Sequence, residues 1–284
     1  MAELRGELML NEPMGRHCSW RTGGPVRQLY KPADSADLQA FLQQLPEEEP
    51  VLWIGLGSNL LVRDGGFPGT VISTFNVLAG LEWLDTTVLR AGAGATCSKV
   101  ARTAAKAGMV GAEFLAGIPG TMGGALAMNA GAFGTETWQR VLQVQTVDRH
   151  GEVRSRAPED FDIGYRHVRG PEGEWFLSTL LVGKSGDVEA GRREIRRLLE
   201  RRAETQPIGL ASCGSVFRNP EGDYAARLIE ASGLKGYRIG GAEVSTKHAN
   251  FIINTGDASA ADIAALVTRV QERVEAASGV RLQR

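Results

Sequence analysis

Two side chains of the sequence could do proton or charge chemistry, and they stand in different segments. Ser215 follows Cys213-Gly214 and carries a hydroxyl that gives up a proton only when a neighbouring charge or hydrogen-bond chain assists it. No Gly-x-Ser-x-Gly motif surrounds it, so without such help it is an ordinary turn or strand residue. Arg166, between Tyr165 and His167, is either a surface arginine or a guanidinium that faces a carboxylate or phosphate.

The histidines and cysteines are spread along the whole chain: His17, His150, His167 and His248, and Cys18, Cys97 and Cys213. Their spacing predicts no metal site, no Cys-x-x-Cys pair and no disulfide framework. Unpaired cysteines fit a reducing compartment, so we predict a cytoplasmic protein.

Glycine is concentrated in two segments that could approach a ligand closely. The first, Gly55-Leu56-Gly57-Ser58-Asn59, follows a predicted buried strand, and the second, residues 115–134, holds several glycines and no charged residue. Each glycine costs a helix about 1 kcal/mol relative to alanine, so we expect the second segment to be a ligand-facing wall rather than a core helix. Together they suit a large anionic dinucleotide, with one loop for the pyrophosphate and one for the ring. Unrelated tight turns are the alternative.

Apolar periodicity predicts the elements that would position these segments. The first 75 residues have predicted strands at 26–30, 51–54, 60–62 and 70–73 and a helix at 32–45. Residues 76–185 have predicted strands at 88–91, 141–147, 152–155, 161–165 and 176–182 and a helix at 96–106. Residues 186–284 have predicted helices at 188–205, 224–231 and 259–277 and strands at 215–217, 250–254 and 280–282. This order predicts an α+β protein of three parts.

Charge is balanced, which bounds the partners of the protein. The 284 residues include 32 Lys+Arg and 33 Asp+Glu, a formal net charge of −1. That balance argues against a surface built for nucleic acid or for an acidic membrane. The uncharged run 115–134 is long enough to span a bilayer. Its glycines, Pro119 and Asn129 instead favour a soluble, glycine-rich site.

The motifs, taken in order, resemble the UDP-N-acetylenolpyruvoylglucosamine reductase family, the MurB family of peptidoglycan synthesis. The resemblance runs from about Asn11 to the end of the chain. Each motif alone is weak, but the ordered set is specific. It consists of Thr22-Gly23-Gly24-Pro25, residues 55–62, residues 117–125, Met128-Asn129-Ala130-Gly131, Tyr165-Arg166, Gln206-Pro207, residues 214–220, Leu234-Lys235-Gly236 and residues 247–251.

The resemblance implies a particular fold and a small-molecule partner. The fold would be a vanillyl-alcohol-oxidase-type FAD-binding domain of two α+β subdomains, residues 1–75 and 76–185. A C-terminal α+β substrate domain, residues 186–284, would follow. The compact segment 165–187 resembles the shorter of the family's two subtypes, which lacks a tyrosine loop. We expect a monomer that binds a UDP-sugar and neither nucleic acid nor membrane.

The resemblance also implies the cofactors, FAD and NADPH, and the residues that would hold FAD. The pyrophosphate would lie on Gly55, Leu56, Gly57, Ser58 and Asn59, and the flavin on Gly117, Ile118, Pro119, Gly120, Thr121, Gly123, Gly124 and Ala125. On this interpretation, Gly123→Val costs flavin binding before it costs folding.

The implied reaction reduces the enolpyruvyl group of UDP-N-acetylglucosamine enolpyruvate to UDP-N-acetylmuramate. A hydride from reduced flavin would reach one carbon of the enol ether, and a proton would reach the next. By the family match, Arg166 would stabilise the negative charge that spreads into the carboxylate, and Ser215 would protonate the intermediate carbon. Tyr165 and Asn219 match substrate-contacting positions.

Two other functions are alternatives to this interpretation. One is a related oxidase with covalently bound FAD, which normally attaches the flavin through His or Cys. Residues 55–59 and 117–125 contain neither, which counts against it. The other is a catalytically silent binding module, which variants of Ser215 would distinguish from an enzyme.

One departure from the family pattern generates a prediction. The family's third catalytic residue, a glutamate on a strand after the last helix, would fall by spacing just beyond Arg284. We therefore expect the 284-residue chain to purify as a yellow, FAD-bound protein that turns over poorly. Steady-state NADPH oxidation in the presence of substrate measures this, and full turnover would contradict it.

Overall fold

The computed structural model describes residues 3–284. Within this range the α-helices are α1 Ser35–Gln44, α2 Cys97–Lys106, α3 Met122–Ala127, α4 Val188–Thr205, α5 Ala225–Ala231 and α6 Ala260–Ser278. The strands are β1 Glu7–Pro13, β2 Pro25–Lys31, β3 Val51–Ile54, β4 Phe67–Ser73, β5 Leu81–Asp85, β6 Val88–Gly92, β7 Met109–Val110, β8 Gly131–Ala132, β9 Thr135–Glu136, β10 Val141–Asp148, β11 Val153–Arg156, β12 Asp162–Gly164, β13 His167–Arg169, β14 Glu174–Val182, β15 Lys184–Ser185, β16 Arg238–Ile239, β17 Ala242–Val244 and β18 Ile252–Asn254.

The chain divides into two compact units, and each is discontinuous in sequence. Unit 1 contains the residues up to Leu10, then 28–56 and 69–201, and unit 2 contains 11–27, 57–68 and 202–284. The three-part division at residues 75 and 185 stays a prediction.

Unit 1 is built on an antiparallel sheet with the strand order β11-β10-β14-β6-β5. Strands β10 and β11 form a hairpin that turns at Arg149-His150-Gly151, with Val147 opposite Val153. Helix α2 covers the core with a stripe of small residues that includes Val100, Ala101 and Ala104, all fully buried. In a second sheet, of order β1-β2-β4-β3, strands β3 and β4 run parallel.

Unit 2 packs its core against helix α6. A capping box begins this helix: Ser259 Oγ accepts from Asp262 N, and Asp262 Oδ2 accepts from Ser259 N. Asp64 accepts from the next two amides of the helix, Ala260 N at 2.8 Å and Ala261 N at 2.9 Å. A carboxylate at this end of a helix complements the partial positive charge of its free N–H groups.

Four segments differ from the predicted elements. Residues 60–62 and 280–282 form loops, and residues 215–217 supply only an isolated bridge between Ser215 and Phe251. Short apolar runs become strands only when a partner edge is available, and the sequence does not contain that information. The glycine-rich segment was predicted to avoid helix, yet it forms the short helix α3 through Gly123 and Gly124.

A buried carboxylate joins the N-terminal segment of unit 1 to helix α1. Asp37 accepts from Tyr30 Oη at 2.6 Å, Arg5 N at 2.7 Å and Ala33 N at 2.9 Å. Burial raises the pKa of Asp37, but the hydrogen bonds from Arg5, Tyr30 and Ala33 outweigh it and hold that pKa below its usual value. Burial and the bond to Asp37 raise the pKa of Tyr30 to about 12.

Tyr30→Phe tests this network. It removes one of the three donors to a buried carboxylate, so we expect the free energy of unfolding to fall by about 1–3 kcal/mol. Because the pKa of Asp37 is lowered in the folded state, its contribution exists above the unfolded-state pKa and is lost as the pH falls through the folded-state pKa. The difference between parent and variant should therefore shrink below about pH 4. Urea denaturation at several pH values measures it.

Tyr224→Phe is the matched control, because Tyr224 is 68% exposed. It should change the free energy of unfolding by no more than about 0.5 kcal/mol. Equal effects of the two substitutions would show that the Asp37 network does not stabilise the fold.

Candidate functional site

The two predicted cofactor segments meet inside unit 1 where Gly55 lies against Thr121. Gly55 follows the end of β3, and Thr121 is the N-cap of α3. A Cβ added to Gly55 would overlap Thr121 Oγ1. The structure therefore joins part of the first segment, residues 55 and 56, directly to the second, and this contact requires glycine at position 55.

Backbone hydrogen bonds hold the second segment against the loop that follows β6. Met122 N donates to Ala95 O and Gly123 N donates to Ala93 O, both at 2.8 Å. Cys97 N donates to Gly120 O at 2.9 Å. A segment with few side chains is thus fixed by its main chain, which gives a rigid wall without bulk.

The wall has a closed side and an open side. A Cβ on Gly123 would meet the Cβ of Ala93 at 3.0 Å, whereas a Cβ on Gly124 would meet only Thr121 Oγ1 at 3.7 Å. Pro119 and Gly124 are exposed, while Ile118 and Thr121 are buried. Gly124 therefore leaves room for a ligand at the backbone, and Gly123 serves packing.

Residues 57–59, the rest of the first segment, belong to unit 2. Gly57 has a φ of +65° and is buried, Ser58 is half-buried and Asn59 is exposed. Gly57 O accepts from Ser19 N at 3.0 Å and from the thiol of Cys213 at 3.5 Å.

Ser215 lies in the same unit, in a segment held by Asn250. Val216 N donates to Asn250 O at 2.9 Å, and the Asn250 side chain bonds both Phe217 N and Phe217 O, at 2.9 and 2.8 Å. Ser215 itself is half-buried. The hydrogen bonds of Val216 and Phe217 with Asn250 fix the backbone next to Ser215, and so the position of its hydroxyl.

Asn219, which the sequence predicted to contact substrate, is exposed and also makes a hydrogen bond within the fold. Its Oδ1 accepts from Ala225 N at 3.1 Å, at the start of helix α5. That bond satisfies one of the free amides at the N-terminus of the helix.

Arg166 and Tyr165 form the turn between β12 and β13 in unit 1. Gly164 pairs with His167, so these two residues alone connect the strands. Arg166 is half-buried with a φ of +50°, and Tyr165 is 51% exposed. A left-handed conformation at a non-glycine residue is uncommon and marks a position that its surroundings determine.

Two further residues were missed by the interpretation of single motifs. Asn129, within the motif Met128-Asn129-Ala130-Gly131, donates to Gly164 O at 3.1 Å. His248 packs on Phe251, and among residues 3–284 its buried Nδ1 has no hydrogen-bond partner. Burial lowers the pKa of His248, so the ring is neutral near pH 7. Both lie in the family motifs. The Asn129–Gly164 bond joins residues 35 positions apart, which no spacing rule predicts, and the burial of the His248 ring depends on the fold.

The described residues provide neither a metal-binding cluster nor a membrane-spanning helix. Residues 3–284 contain no group of three or more His, Cys, Asp or Glu side chains arranged to hold a metal ion. No helix in that range has both the length and the apolar character needed to cross a bilayer.

Comparison with known proteins identifies the class of protein to which this chain belongs. An FAD binding domain matches residues 26–156, which include the Gly55–Thr121 contact. The C-terminal domain of UDP-N-acetylenolpyruvoylglucosamine reductase matches residues 206–284, which include Ser215. These two domains define an FAD-containing oxidoreductase and confirm the predicted α+β fold class.

Relatives that match nearly the full length of the chain identify its family within this class of oxidoreductases. The UDP-N-acetylenolpyruvoylglucosamine reductase of Alkalilimnicola ehrlichii is 59% identical over 98% of this chain and 93% of its own length. That of Methylococcus capsulatus is 57% identical over 99% of this chain and 93% of its own length. The crystal structure of the reductase (MurB) from Thermus caldophilus matches with a TM-score of 0.84 and 33% identity, over 99% of this chain and 97% of that one. The chain belongs to the UDP-N-acetylenolpyruvoylglucosamine reductase family, as its motifs predicted.

Because Gly124, and not Gly123, lies on the open side of the wall, Gly124→Val is a sharper test of flavin binding than the Gly123→Val variant considered from the sequence. Gly124→Val places a branched side chain on the exposed face of the wall, so we expect FAD affinity to fall by about tenfold or more while stability changes little. Gly123→Val instead pushes against Ala93 and should lower the melting temperature of the apoprotein as well. Flavin fluorescence titration and thermal unfolding of the apoproteins separate the two. Unchanged FAD affinity in Gly124→Val would remove this face from the cofactor site.

Proposed function

We propose that this protein reduces the enolpyruvyl group of UDP-N-acetylglucosamine enolpyruvate to UDP-N-acetylmuramate, with NADPH as the source of electrons, in peptidoglycan precursor synthesis. The observation that carries the proposal is the Gly55–Thr121 contact within the matched FAD-binding domain. The relatives' printed name, UDP-N-acetylenolpyruvoylglucosamine reductase, supports this choice of substrate.

The residues present fit FAD. The wall of residues 117–125 is uncharged, fixed by its main chain and open at Gly124, as a flat ring system requires. Residues 55–59 would hold the pyrophosphate, since glycine lets a phosphate approach backbone N–H groups. When bound, FAD supplies the hydride of the reaction.

Arg166 would meet the carboxylate of the enolpyruvyl group. Hydride addition puts negative charge on the neighbouring carbon, and that charge spreads into the carboxylate. A guanidinium donates two parallel hydrogen bonds to a carboxylate, and a preorganised one stabilises developing charge at no reorganisation cost. The left-handed turn that carries Arg166 is an argument for such a role, because strained residues persist where the surrounding structure holds them.

Ser215 would deliver the proton to the carbon that becomes basic. A serine hydroxyl is a weak acid, so it serves only against a strongly basic carbanion or enolate, which this reaction forms. The bonds from Asn250 fix the backbone that carries it. Tyr165 and Asn219, both exposed, would contact the UDP-sugar.

A thiol beside the first loop argues against covalent flavin. Cys213 lies beside Gly57 and Leu60. Burial raises its pKa to about 12, so the nucleophilic thiolate is scarce at pH 7. We propose a dissociable FAD, and a cytoplasmic monomer whose balanced charge suits neither nucleic acid nor an acidic membrane surface.

Ser215→Ala tests the chemical assignment. We expect NADPH to reduce the flavin of the variant at the parent's rate, while the UDP-sugar reoxidises it at least about a hundredfold more slowly. Stopped-flow absorbance of the flavin follows the two half-reactions separately. Each is expressed relative to the unaltered chain, so a slow parent does not obscure the comparison.

Ser278→Ala provides the control. Ser278 lies at the end of helix α6, where its Oγ donates to Val274 O at 2.8 Å. Both half-reactions should keep the parent's rates in this variant. Equal reoxidation of Ser215→Ala and the parent would exclude Ser215 as the proton donor, and a protein that NADPH does not reduce would overturn the proposed function as a whole.

A further inference from the structure

One buried side chain connects the glycine-rich wall to the turn that carries Arg166. The Asn129 amide nitrogen donates to Gly164 O at 3.1 Å and to Glu136 Oε2 at 2.8 Å, and its Oδ1 accepts from Trp138 N at 3.1 Å. Asn129 is only 3% exposed. Both amide hydrogens and the oxygen are thus engaged, which fixes the orientation of the side chain.

The backbone of Asn129 is adapted to this position. It follows the C-cap of helix α3 and has a φ of +42°, a conformation that asparagine tolerates better than most residues. Helix α3 begins at the proposed flavin wall, and Gly164 is the residue before the Tyr165-Arg166 turn. Asn129 therefore links the end of one element to the start of the other.

The β12–β13 hairpin needs an anchor of this kind. Its strands have three residues each and, among residues 3–284, pair only with one another. A two-stranded hairpin is marginal in water on its own. Its internal His167–Asp162 pair is exposed and contributes little. Ile163 and Val168 pack on the unit 1 core, but apolar packing does not define the turn's position as a directional hydrogen bond does.

We propose that Asn129 is a positioning residue for Arg166: its bond to Gly164 O holds the hairpin so that the guanidinium keeps its working place. The inference rests on the proposed role of Arg166. It predicts that losing the Asn129 amide slows the step that Arg166 assists and leaves reduction of the flavin by NADPH unchanged.

Asn129→Gly is the test variant, because glycine adopts the same φ without strain and only the amide is lost. Thr137→Val is its matched control. Thr137 is buried nearby, and its Oγ1 donates at 2.7 Å to Ala130 O, a group outside the hairpin. Both variants lose hydrogen bonds of the same region, so the control reports what destabilisation alone does.

The first readout needs no cofactor. Hydrogen–deuterium exchange of the apoprotein should become faster in peptides covering residues 160–170 of Asn129→Gly and stay at the parent's rate there in Thr137→Val. Unchanged exchange of the hairpin in Asn129→Gly would overturn the anchoring role.

The second readout is a double-mutant cycle with Arg166→Ala on reoxidation by the UDP-sugar. Asn129→Gly should slow this half-reaction by about tenfold or more in the parent background, because small displacements of a catalytic group have large effects. It should slow it no further in the Arg166→Ala background. Multiplying losses would overturn the proposal, since Asn129 would then act independently of Arg166.

The outcomes separate the inference from the function beneath it. If Arg166→Ala slows reoxidation but Asn129→Gly does not, only the positioning role is overturned. If Arg166→Ala itself leaves reoxidation unchanged, the proposed role of Arg166 is wrong and the inference is wrong with it. A similar loss in Thr137→Val would attribute the effect to destabilisation and overturn the positioning role.

Discussion

The absence of a side chain at Gly55 is the constraint on which the candidate site depends. It lets the end of strand β3 touch Thr121, the residue that starts helix α3. From there, main-chain bonds to Ala93 and Ala95 extend the contact along the wall. A wall built this way has little side-chain entropy to lose when a ligand binds, so its shape exists before the ligand arrives.

The sequence predicted most long elements because their periodicity is strong. Helices α2, α4 and α6 and strands β10 and β14 form where the apolar pattern indicated, and the Ser259–Asp262 capping box is present. It could not separate the two roles of glycine, since Gly123 packs on Ala93 within a helix and Gly124 faces open space. Which role a glycine has is decided by tertiary neighbours.

The sequence predicted less of the candidate site than of the fold. Motif order indicated the family and the residues with a chemical role, but Ser215 lies at an isolated bridge rather than in a strand. The Asn129–Gly164 bond joins residues 35 positions apart, and no local rule relates them. The chemistry of a side chain is visible in the sequence, whereas the group that aims it is defined only by the fold.

The discontinuity of unit 2 has a consequence for its biosynthesis. Trp20 donates to Ile252 O at 2.8 Å across 232 residues, and Asp64 binds the first turn of α6 from 196 and 197 residues away. On the ribosome, the segments 11–27 and 57–68 therefore wait for partners, residues 202–284, that are synthesised much later. Closing such loops is slow, and apolar surface stays exposed meanwhile. Unit 2 can be completed only after residues 202–284 have been synthesised, so its earlier segments stay without their partners until then.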